Sequence, residues 1–172
     1  MSLFFVTGGS KSGKSTFARL RAESLKGRRV FIATAVPIDD EMRSRIAAHK
    51  KERVAMWETI EEPFHLTSVI EGVKGAYDVI LIDCLTIWLT NVMLSESAYL
   101  VEEVIVGFVS VLEQIKSVVD IFVVSNEVGM GIVPDNALSR CFRDHAGLLN
   151  QSVAAVSDEA YLIVSGLPLR LK

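Results

Sequence analysis

The chain has 172 residues, of which half are apolar and 23% are charged, and its net charge is −3. This composition is that of a folded domain rather than a disordered segment, and the negative balance argues against a partner such as nucleic acid. No apolar run reaches the ~18 residues of a membrane span, and the first residues lack the pattern of a signal peptide, so we expect a cytoplasmic protein. The two cysteines, Cys84 and Cys141, show neither metal-ligand spacing nor a disulfide pattern.

Short apolar segments alternate with helical patterns along the chain, which is typical of an α/β fold. In chain order, the first half predicts a strand at Leu3–Thr7, a helix at Lys14–Lys26, a strand at Arg29–Thr34, a helix at Asp39–Lys51, a short strand at Trp57–Thr59 and a helix from Pro63 to Glu71. The second half predicts a strand at Tyr77–Asp83, helices at Leu85–Leu94 and Glu102–Lys116, a strand at Asp120–Ser125, a helix after Pro134 to Val156, and a strand at Tyr161–Ser165 that turns towards Leu167–Leu171. Because several strands are apolar on both faces, we expect a mostly parallel sheet with helices on both sides. No repeat or linker divides residues 1–172, which predicts a single domain.

A glycine-rich segment joins the first predicted strand to the first helix and reads Gly8-Gly9-Ser10-Lys11-Ser12-Gly13-Lys14-Ser15. It matches the phosphate-loop pattern G-x4-G-K-[ST] in the strand-to-helix context that the pattern requires. Glycines let the backbone curl so that its N–H groups point at phosphate oxygens, and the helix N-terminus adds partial positive charge. In such a loop Lys14 reaches the β- and γ-phosphates and the Ser15 hydroxyl ligates Mg²⁺. The alternative is a Gly- and Ser-rich turn without a ligand.

Asp83 ends the apolar strand that begins near Tyr77, where phosphate-loop proteins place the acidic residue that holds Mg²⁺. An aspartate that only caps the next helix is the alternative for this position. A GTPase switch would carry Asn-Lys-x-Asp after a later strand, whereas the corresponding strand end reads Ser125-Asn126-Glu127-Val128-Gly129. This weakens the GTPase interpretation, but a regulatory nucleotide-binding protein without transferase activity remains the alternative to an enzyme.

One of the three histidines, His49, lies in a cationic stretch, with Arg45 before it and Lys50–Arg53 after it. Such surroundings suit a triphosphate and keep an imidazole neutral, and therefore nucleophilic. A surface histidine that stabilises the C-terminus of a basic helix is the competing interpretation. The other two, His65 and His145, are interpreted as structural.

Taken together, the motifs resemble the family of bifunctional adenosylcobinamide kinase/adenosylcobinamide-phosphate guanylyltransferases of cobalamin biosynthesis. The resemblance runs nearly from end to end, and its most specific part is the segment 126–134, N-E-V-G-M-G-I-V-P, followed by Phe142-Arg143-Asp144. It is also carried by the phosphate loop, Ile32-Ala33-Thr34, Asp39-Asp40-Glu41-Met42, Arg45-Ile46, His49-Lys50, Trp57-x-Thr59-x-Glu61, Asp83-Cys84, Thr86, Thr90-Asn91, Ala146-Gly147, Asn150-Gln151 and Val164-Ser165-Gly166.

This resemblance implies a P-loop NTPase fold with a RecA-like sheet and two activities. The kinase would transfer a γ-phosphoryl group from ATP or GTP to the aminopropanol hydroxyl of adenosylcobinamide. In the transferase, His49 would attack the α-phosphate of GTP, and the GMP–histidine intermediate would pass GMP to adenosylcobinamide-phosphate, giving adenosylcobinamide-GDP. The family also forms homo-oligomers, and a trimer is what the resemblance suggests.

Residue by residue, the resemblance implies catalytic roles for His49 and Lys14 and a metal site at Ser15 and Asp83. It implies nucleotide contacts at all of Gly8–Ser15 and at Ala33, Thr34, Ala35, Lys50, Lys51, Glu52, Arg53, Glu61 and Asp83. Glu61 could accept hydrogen bonds from the N1–H and N2–H₂ groups of guanine. Two positions depart from relatives: Ala48-His49 replaces a histidine pair, and Asp83 stands where some relatives have Glu.

Overall fold

The strands and helices of the computed structural model, which describes residues 1–36, 56–95 and 100–172, follow the predicted order. The strands are β1 (Leu3–Gly8), β2 (Arg29–Ala33), β3 (Trp57–Glu61), β4 (Val79–Asp83), β5 (Asp120–Val124), β6 (Glu159–Val164) and β7 (Leu167–Arg170). The helices are α1 (Lys14–Glu23), α2 (Leu66–Val73), α3 (Leu85–Leu94), α4 (Val101–Ile115) and α5 (Ala137–Val156). The helix predicted at Asp39–Lys51 lies outside the described residues.

All the described strands belong to one sheet with the order β3-β2-β4-β5-β1-β6-β7. Neighbouring strands run parallel except β6 and β7, which form an antiparallel pair. The first strand therefore lies near the middle, between β5 and β6, and its six residues are all buried. This confirms the predicted α/β fold with a mostly parallel sheet.

The two faces of the sheet support two separate groups of buried side chains, because successive residues of a strand point to opposite sides. In β1, Leu3 and Phe5 pack with buried residues of α2, α3, α4 and α5. Phe4 and Val6 pack on the other face with α1, and the ring of Phe4 stacks on that of Phe122 with centroids 4.4 Å apart. Helices therefore cover both faces, as the uninterrupted apolar strands predict.

Some boundaries differ from the prediction by a few residues, for local reasons. The third strand continues to Glu61 because β2 pairs with it as far as Ala33. The next helix begins at Leu66 rather than Pro63, since Glu62 Oε1 accepts hydrogen bonds from the backbone N–H groups of Phe64 and His65, both at 2.8 Å, and holds a turn there.

The long helices are amphipathic. Helix α4 buries residues at helical spacing, among them Ile105, Phe108 and Leu112, and carries acidic residues in its first turn. Helix α5 is capped by Asn136, whose side chain accepts a hydrogen bond from the backbone N–H of Ser139 at 2.7 Å. Within the described ranges, no helix has both the length and the apolar character to cross a bilayer.

Candidate functional site

The glycine-rich loop follows β1 directly and ends in the first turn of α1. Gly13, the N-cap of α1, has a φ of 95°, a left-handed conformation that favours glycine. Lys11 also has a positive φ, 54°, and its side chain is exposed. At Gly8, an added Cβ would lie 2.5 Å from the carbonyl oxygen of Ile163, so the loop passes too close to β6 for any other residue. The backbone thus has the curled form that the sequence pattern predicts.

Hydrogen bonds to two neighbouring strand ends fix this loop. The backbone N–H of Gly166, after β6, donates to the Ser12 carbonyl at 2.8 Å. On the other side, the backbone N–H of Glu127, after β5, donates to the Gly8 carbonyl at 3.0 Å. The loop is therefore held at both of its flanks before any ligand binds, which is the preorganisation that an anion site needs.

Lys14 points back over the loop that precedes it. Its side chain is only 8% exposed, and its Nζ donates a hydrogen bond to the Gly9 carbonyl at 3.0 Å. Burial lowers the pKa of Lys14, while the nearby Cys84 and Asp83 act in the opposite direction. The lysine and the aspartate that the sequence assigned to one site are thus close enough to interact electrostatically.

The carboxyl ends of adjacent parallel strands bring the other predicted residues to one edge of the sheet. Ala33 pairs with Glu61 on one side and with Asp83 on the other, and Asp83 pairs in turn with Val124. Glu61 is exposed, and Ala33 and Asp83 are half-buried. Parallel α/β sheets bind ligands at this edge, so the structure brings Glu61, Ala33, Asp83 and the glycine-rich loop to the expected side of one sheet.

Thr34 links the ends of β2 and β4. Its fully buried hydroxyl donates to the Cys84 carbonyl at 2.8 Å and accepts from the Cys84 backbone N–H at 2.9 Å. The Thr34 carbonyl accepts from the Asn91 side chain at 2.8 Å, and the following residue, Ala35, is half-buried. These contacts fix the backbone immediately after Asp83.

Ser15 and Asp83 supply oxygen donors of the kind that Mg²⁺ prefers. Ser15 lies half-buried in the first turn of α1, a turn that has no acidic residue to compete with a phosphate. In the described part of the chain, no group of three or more His, Cys, Asp or Glu side chains could hold a metal by itself. A hydroxyl and a carboxylate fit an ion that takes its remaining ligands from phosphate and water.

Several predicted site residues are not tested by this geometry. His49, Lys50, Lys51, Glu52 and Arg53 lie outside the described residues. Ser10 in the loop is exposed and Ser12 is half-buried. Of the two remaining histidines, His65 occupies the N-cap position of α2, and His145 lies in α5 with Nδ1 2.9 Å from the Cys141 carbonyl oxygen.

Two features of this edge were not predicted from the sequence. The double hydrogen bond of Thr34 depends on the pairing of β2 with β4, which the sequence does not reveal. Cys84 is buried beside Asp83, and burial, followed by the neighbouring carboxylate, raises the pKa of its thiol to about 11. Glu127 was noticed only as part of a motif, although its place shortly after the buried strand β5, which ends at Val124, was a usable signal.

Comparison with solved structures supports the fold. The chain superposes on an ATPase of the type III secretion system of pathogenic bacteria with a TM-score of 0.59, at 11% identity over 94% of this chain. The RadB recombinase gives a TM-score of 0.54, at 13% identity over 94% of this chain. The chain spans 50% of the ATPase and 73% of the recombinase. At such identities the likeness concerns the fold alone, and it supports the α/β fold with a mostly parallel sheet.

Sequence relatives are much more similar. The bifunctional adenosylcobalamin biosynthesis protein CobP of Pseudomonas aeruginosa is 41% identical over 97% of this chain and 95% of that protein. CobU of Salmonella typhimurium, described in the same words, is 38% identical over 99% of each chain. A family model described as "Cobinamide kinase / cobinamide phosphate guanyltransferase" matches residues 4–171. The chain therefore belongs to the cobinamide kinase/cobinamide phosphate guanyltransferase family.

Proposed function

We propose that the chain carries out two successive transfers of cobalamin biosynthesis on its nucleotide-binding edge. The first moves a γ-phosphoryl group to the aminopropanol hydroxyl of adenosylcobinamide, and the second moves GMP from GTP to the phosphate so formed. Family membership supports both activities. The structural observation that carries the proposal is the alignment of the glycine-rich loop, Asp83 and Glu61 at the carboxyl ends of parallel strands.

The triphosphate of ATP or GTP lies in the loop Gly8–Ser15, where backbone N–H groups and the N-terminus of α1 receive its oxygens. Lys14 neutralises charge on the β- and γ-phosphates. The pKa of Lys14 is lowered because its ammonium group is shielded from water, and a bound phosphate would compensate the charge of that group. Ala33 and Ala35, which are half-buried, line the nucleotide further along the same edge, and the fully buried Thr34 between them holds their backbone in place.

Ser15 and Asp83 would hold Mg²⁺ beside the phosphates, directly or through water. The bound ion would offset the negative charge of the triphosphate. The role of this chain's own residues is to place a hydroxyl and a carboxylate on the side of the phosphate chain next to Lys14.

The second transfer uses His49 as nucleophile. A neutral imidazole nitrogen attacks the α-phosphorus of GTP, a P–N bond forms, the bond from the α-phosphorus to the bridging oxygen breaks, and pyrophosphate leaves. A phosphate oxygen of adenosylcobinamide-phosphate then attacks the same phosphorus and displaces the histidine, giving adenosylcobinamide-GDP. This divides one difficult substitution into two easier ones. Lys50, Lys51 and Arg53, with Glu52 between them, supply a charged stretch beside His49 that favours the triphosphate.

Glu61 selects guanine in this step. Its exposed carboxylate, at the end of β3, accepts hydrogen bonds from N1–H and N2–H₂, a donor pair that adenine does not offer. Glu61→Ala should therefore reduce the preference for GTP over ATP in the formation of the labelled intermediate. An unchanged preference would remove Glu61 from the base-recognition site.

The decisive experiment is incubation with α-³²P-GTP and Mg²⁺ followed by denaturing electrophoresis. We expect acid-labile, alkali-stable label on the wild-type protein and none on His49→Ala, with Lys14→Ala impaired in both activities. His65→Ala is the matched control, because His65 lies at the N-cap position of α2, outside the proposed site, and its replacement should leave labelling intact. An intact protein that never becomes labelled would contradict the transferase half of the proposal, and full kinase turnover in Lys14→Ala would contradict the site.

We further propose that residues 1–172 act as one nucleotide-binding and transferase domain in the cytoplasm, assembled as a homotrimer. Light scattering coupled to gel filtration tests the last point, since a trimer has three times the chain mass of 18.9 kDa.

A further inference from the structure

A proton acceptor would assist the kinase step, and none of the residues assigned to the β- and γ-phosphates provides one. When an alcohol oxygen attacks the γ-phosphorus, its proton must be removed, and a positioned carboxylate is a common acceptor. Lys14 carries positive charge, and Ser15 and Asp83 are proposed metal ligands. The acceptor should therefore be another group close to the γ-phosphate end of the loop.

The end of β5 lies beside that part of the loop. Strand β5 is hydrogen-bonded to β1 on one side and to β4 on the other, so it separates the glycine-rich loop from Asp83. The Lys14 amine, which pairs with the β- and γ-phosphates in such loops, reaches the Gly9 carbonyl, and the Glu127 N–H reaches the carbonyl of the preceding residue, Gly8. The Glu127 backbone therefore lies against the first residue of the glycine-rich loop, one residue before the carbonyl that the Lys14 amine reaches.

The backbone that carries Glu127 is held by four different elements of the fold. The Ser125 N–H donates to the Val6 carbonyl in β1 at 3.0 Å, and the Asn126 N–H donates to Thr86 Oγ1 in α3 at 2.7 Å. From α5, the buried Asn150 side chain donates to the Asn126 carbonyl at 3.0 Å. The contact of Glu127 with the glycine-rich loop is the fourth. A group placed this firmly suits proton transfer, which depends on geometry first.

The carboxylate itself is half-buried and partly engaged. Its Oε1 accepts a hydrogen bond from the Gly129 N–H at 2.7 Å. Among the residues that the structure describes, Oε2 makes no hydrogen bond, so it can accept one from a substrate hydroxyl. The other strand beside β1 offers no equivalent, because β6 is followed by Ser165 and Gly166.

We propose that Glu127 is the general base of the kinase step, an inference that rests on the proposed function. The alcohol of the acceptor donates a hydrogen bond to Oε2, and its oxygen attacks the γ-phosphorus. The bond between that phosphorus and the bridging oxygen to the β-phosphate breaks, and the nucleoside diphosphate leaves with those electrons. The alcohol proton passes to the Glu127 carboxylate and then to solvent.

Glu127→Gln tests this assignment, since the amide keeps an oxygen to accept the Gly129 hydrogen bond but no longer takes up a proton. We expect kcat for phosphorylation of adenosylcobinamide to fall by ~10²–10⁴-fold, the usual contribution of a general base. KM for the nucleotide should stay close to the wild-type value. The rate of the wild type should fall at acid pH, because protonation disables a general base. The variant should not show this fall. Glu113→Gln, an exposed carboxylate of α4, is the matched control.

The histidine-labelling reaction with α-³²P-GTP separates the possible outcomes, because it uses the nucleotide site but no alcohol. Labelling should persist in Glu127→Gln, and its unfolding midpoint in urea should match the wild type. A variant with wild-type kcat and pH profile would overturn the inference. So would a variant that loses labelling and kinase activity together, since that would make Glu127 a nucleotide-site residue. Failure of the wild type to phosphorylate adenosylcobinamide would instead contradict the proposed function.

Discussion

Replacing Thr34 tests how strongly the Thr34 hydroxyl stabilises the carboxyl edge of the sheet. It donates to the Cys84 carbonyl at 2.8 Å and accepts from the Cys84 N–H at 2.9 Å, in a fully buried place. Thr34→Val keeps the shape of the side chain and removes both hydrogen bonds. The Cys84 carbonyl retains the Trp88 N–H as a donor at 3.2 Å, whereas the Cys84 N–H loses the partner described here.

The two losses have different magnitudes. A buried N–H left without a partner costs ~1–3 kcal/mol, and loss of a hydrogen bond from a carbonyl that keeps another partner costs ~0.5–1.5 kcal/mol. Thr34→Val should therefore lower the free energy of unfolding by about 2–4 kcal/mol. For a chain of this length, that corresponds to a decrease in Tm of roughly 5–15 °C.

Urea unfolding followed by circular dichroism measures the difference, with two control variants. Thr34→Ser keeps the hydroxyl and loses one buried methyl group, so it should cost only about 1 kcal/mol. Thr90→Val removes a hydroxyl that donates to the Thr86 carbonyl within α3, and it should stay within about 0.5 kcal/mol of the wild type. The reasoning would be refuted if Thr34→Val were no more destabilised than Thr90→Val.

Three further predictions concern the loop and the thiols. Gly8→Ala should lower the free energy of unfolding by about 1–3 kcal/mol and weaken nucleotide binding, because the added Cβ would lie 2.5 Å from a backbone carbonyl oxygen. Gly9→Ala, which adds a Cβ to open space, should leave the free energy of unfolding unchanged in the same urea assay. Lys14→Met should leave the unliganded protein at least as stable as the wild type at pH 7 and abolish the rise in Tm on adding GTP. Because burial lowers the pKa of Lys14, its amine binds fewer protons in the folded than in the unfolded chain just below pH 10.5, so the free energy of unfolding of the wild type relative to that of the variant should rise with pH there. With a pKa of about 11, Cys84 should stay unreactive to a thiol reagent at pH 9 until the protein unfolds, whereas the exposed Cys141 should react in the folded protein; two equally fast thiols would contradict this.

The order of elements and the position of the glycine-rich loop were predictable because their signals are local. An apolar strand followed by glycines and Lys14-Ser15 specifies a strand, a turn and the start of a helix, and Asp83 ends a strand that is apolar before it. The start of α2 was predicted too early because nothing in the sequence shows that Glu62 turns back on two N–H groups. The helix predicted around His49 stays a prediction.

What the sequence does not contain is the order of strands across the sheet. The pairing of Thr34 with Cys84 exists because β2 lies beside β4, and the contact of Glu127 with Gly8 exists because β5 lies beside β1. Both contacts join residues that are 50 or more positions apart in the chain. Propensity and periodicity report on neighbours in sequence, so such contacts become visible only once tertiary packing has fixed the sheet.

The central place of β1 also determines when the site can exist during biosynthesis. Its two neighbours, β5 and β6, begin at Asp120 and Glu159, so the strand that leads into the glycine-rich loop emerges from the ribosome long before either of its partners. Contacts between residues so far apart in sequence form slowly. Until β5 and β6 are made, the apolar strand β1 is exposed, and exposed apolar segments of this kind are prone to aggregation. A nascent chain stalled before residue 120 would carry the complete loop motif but neither of the two strands that pair with β1, so bound nucleotide could stabilise only chains whose synthesis is almost finished.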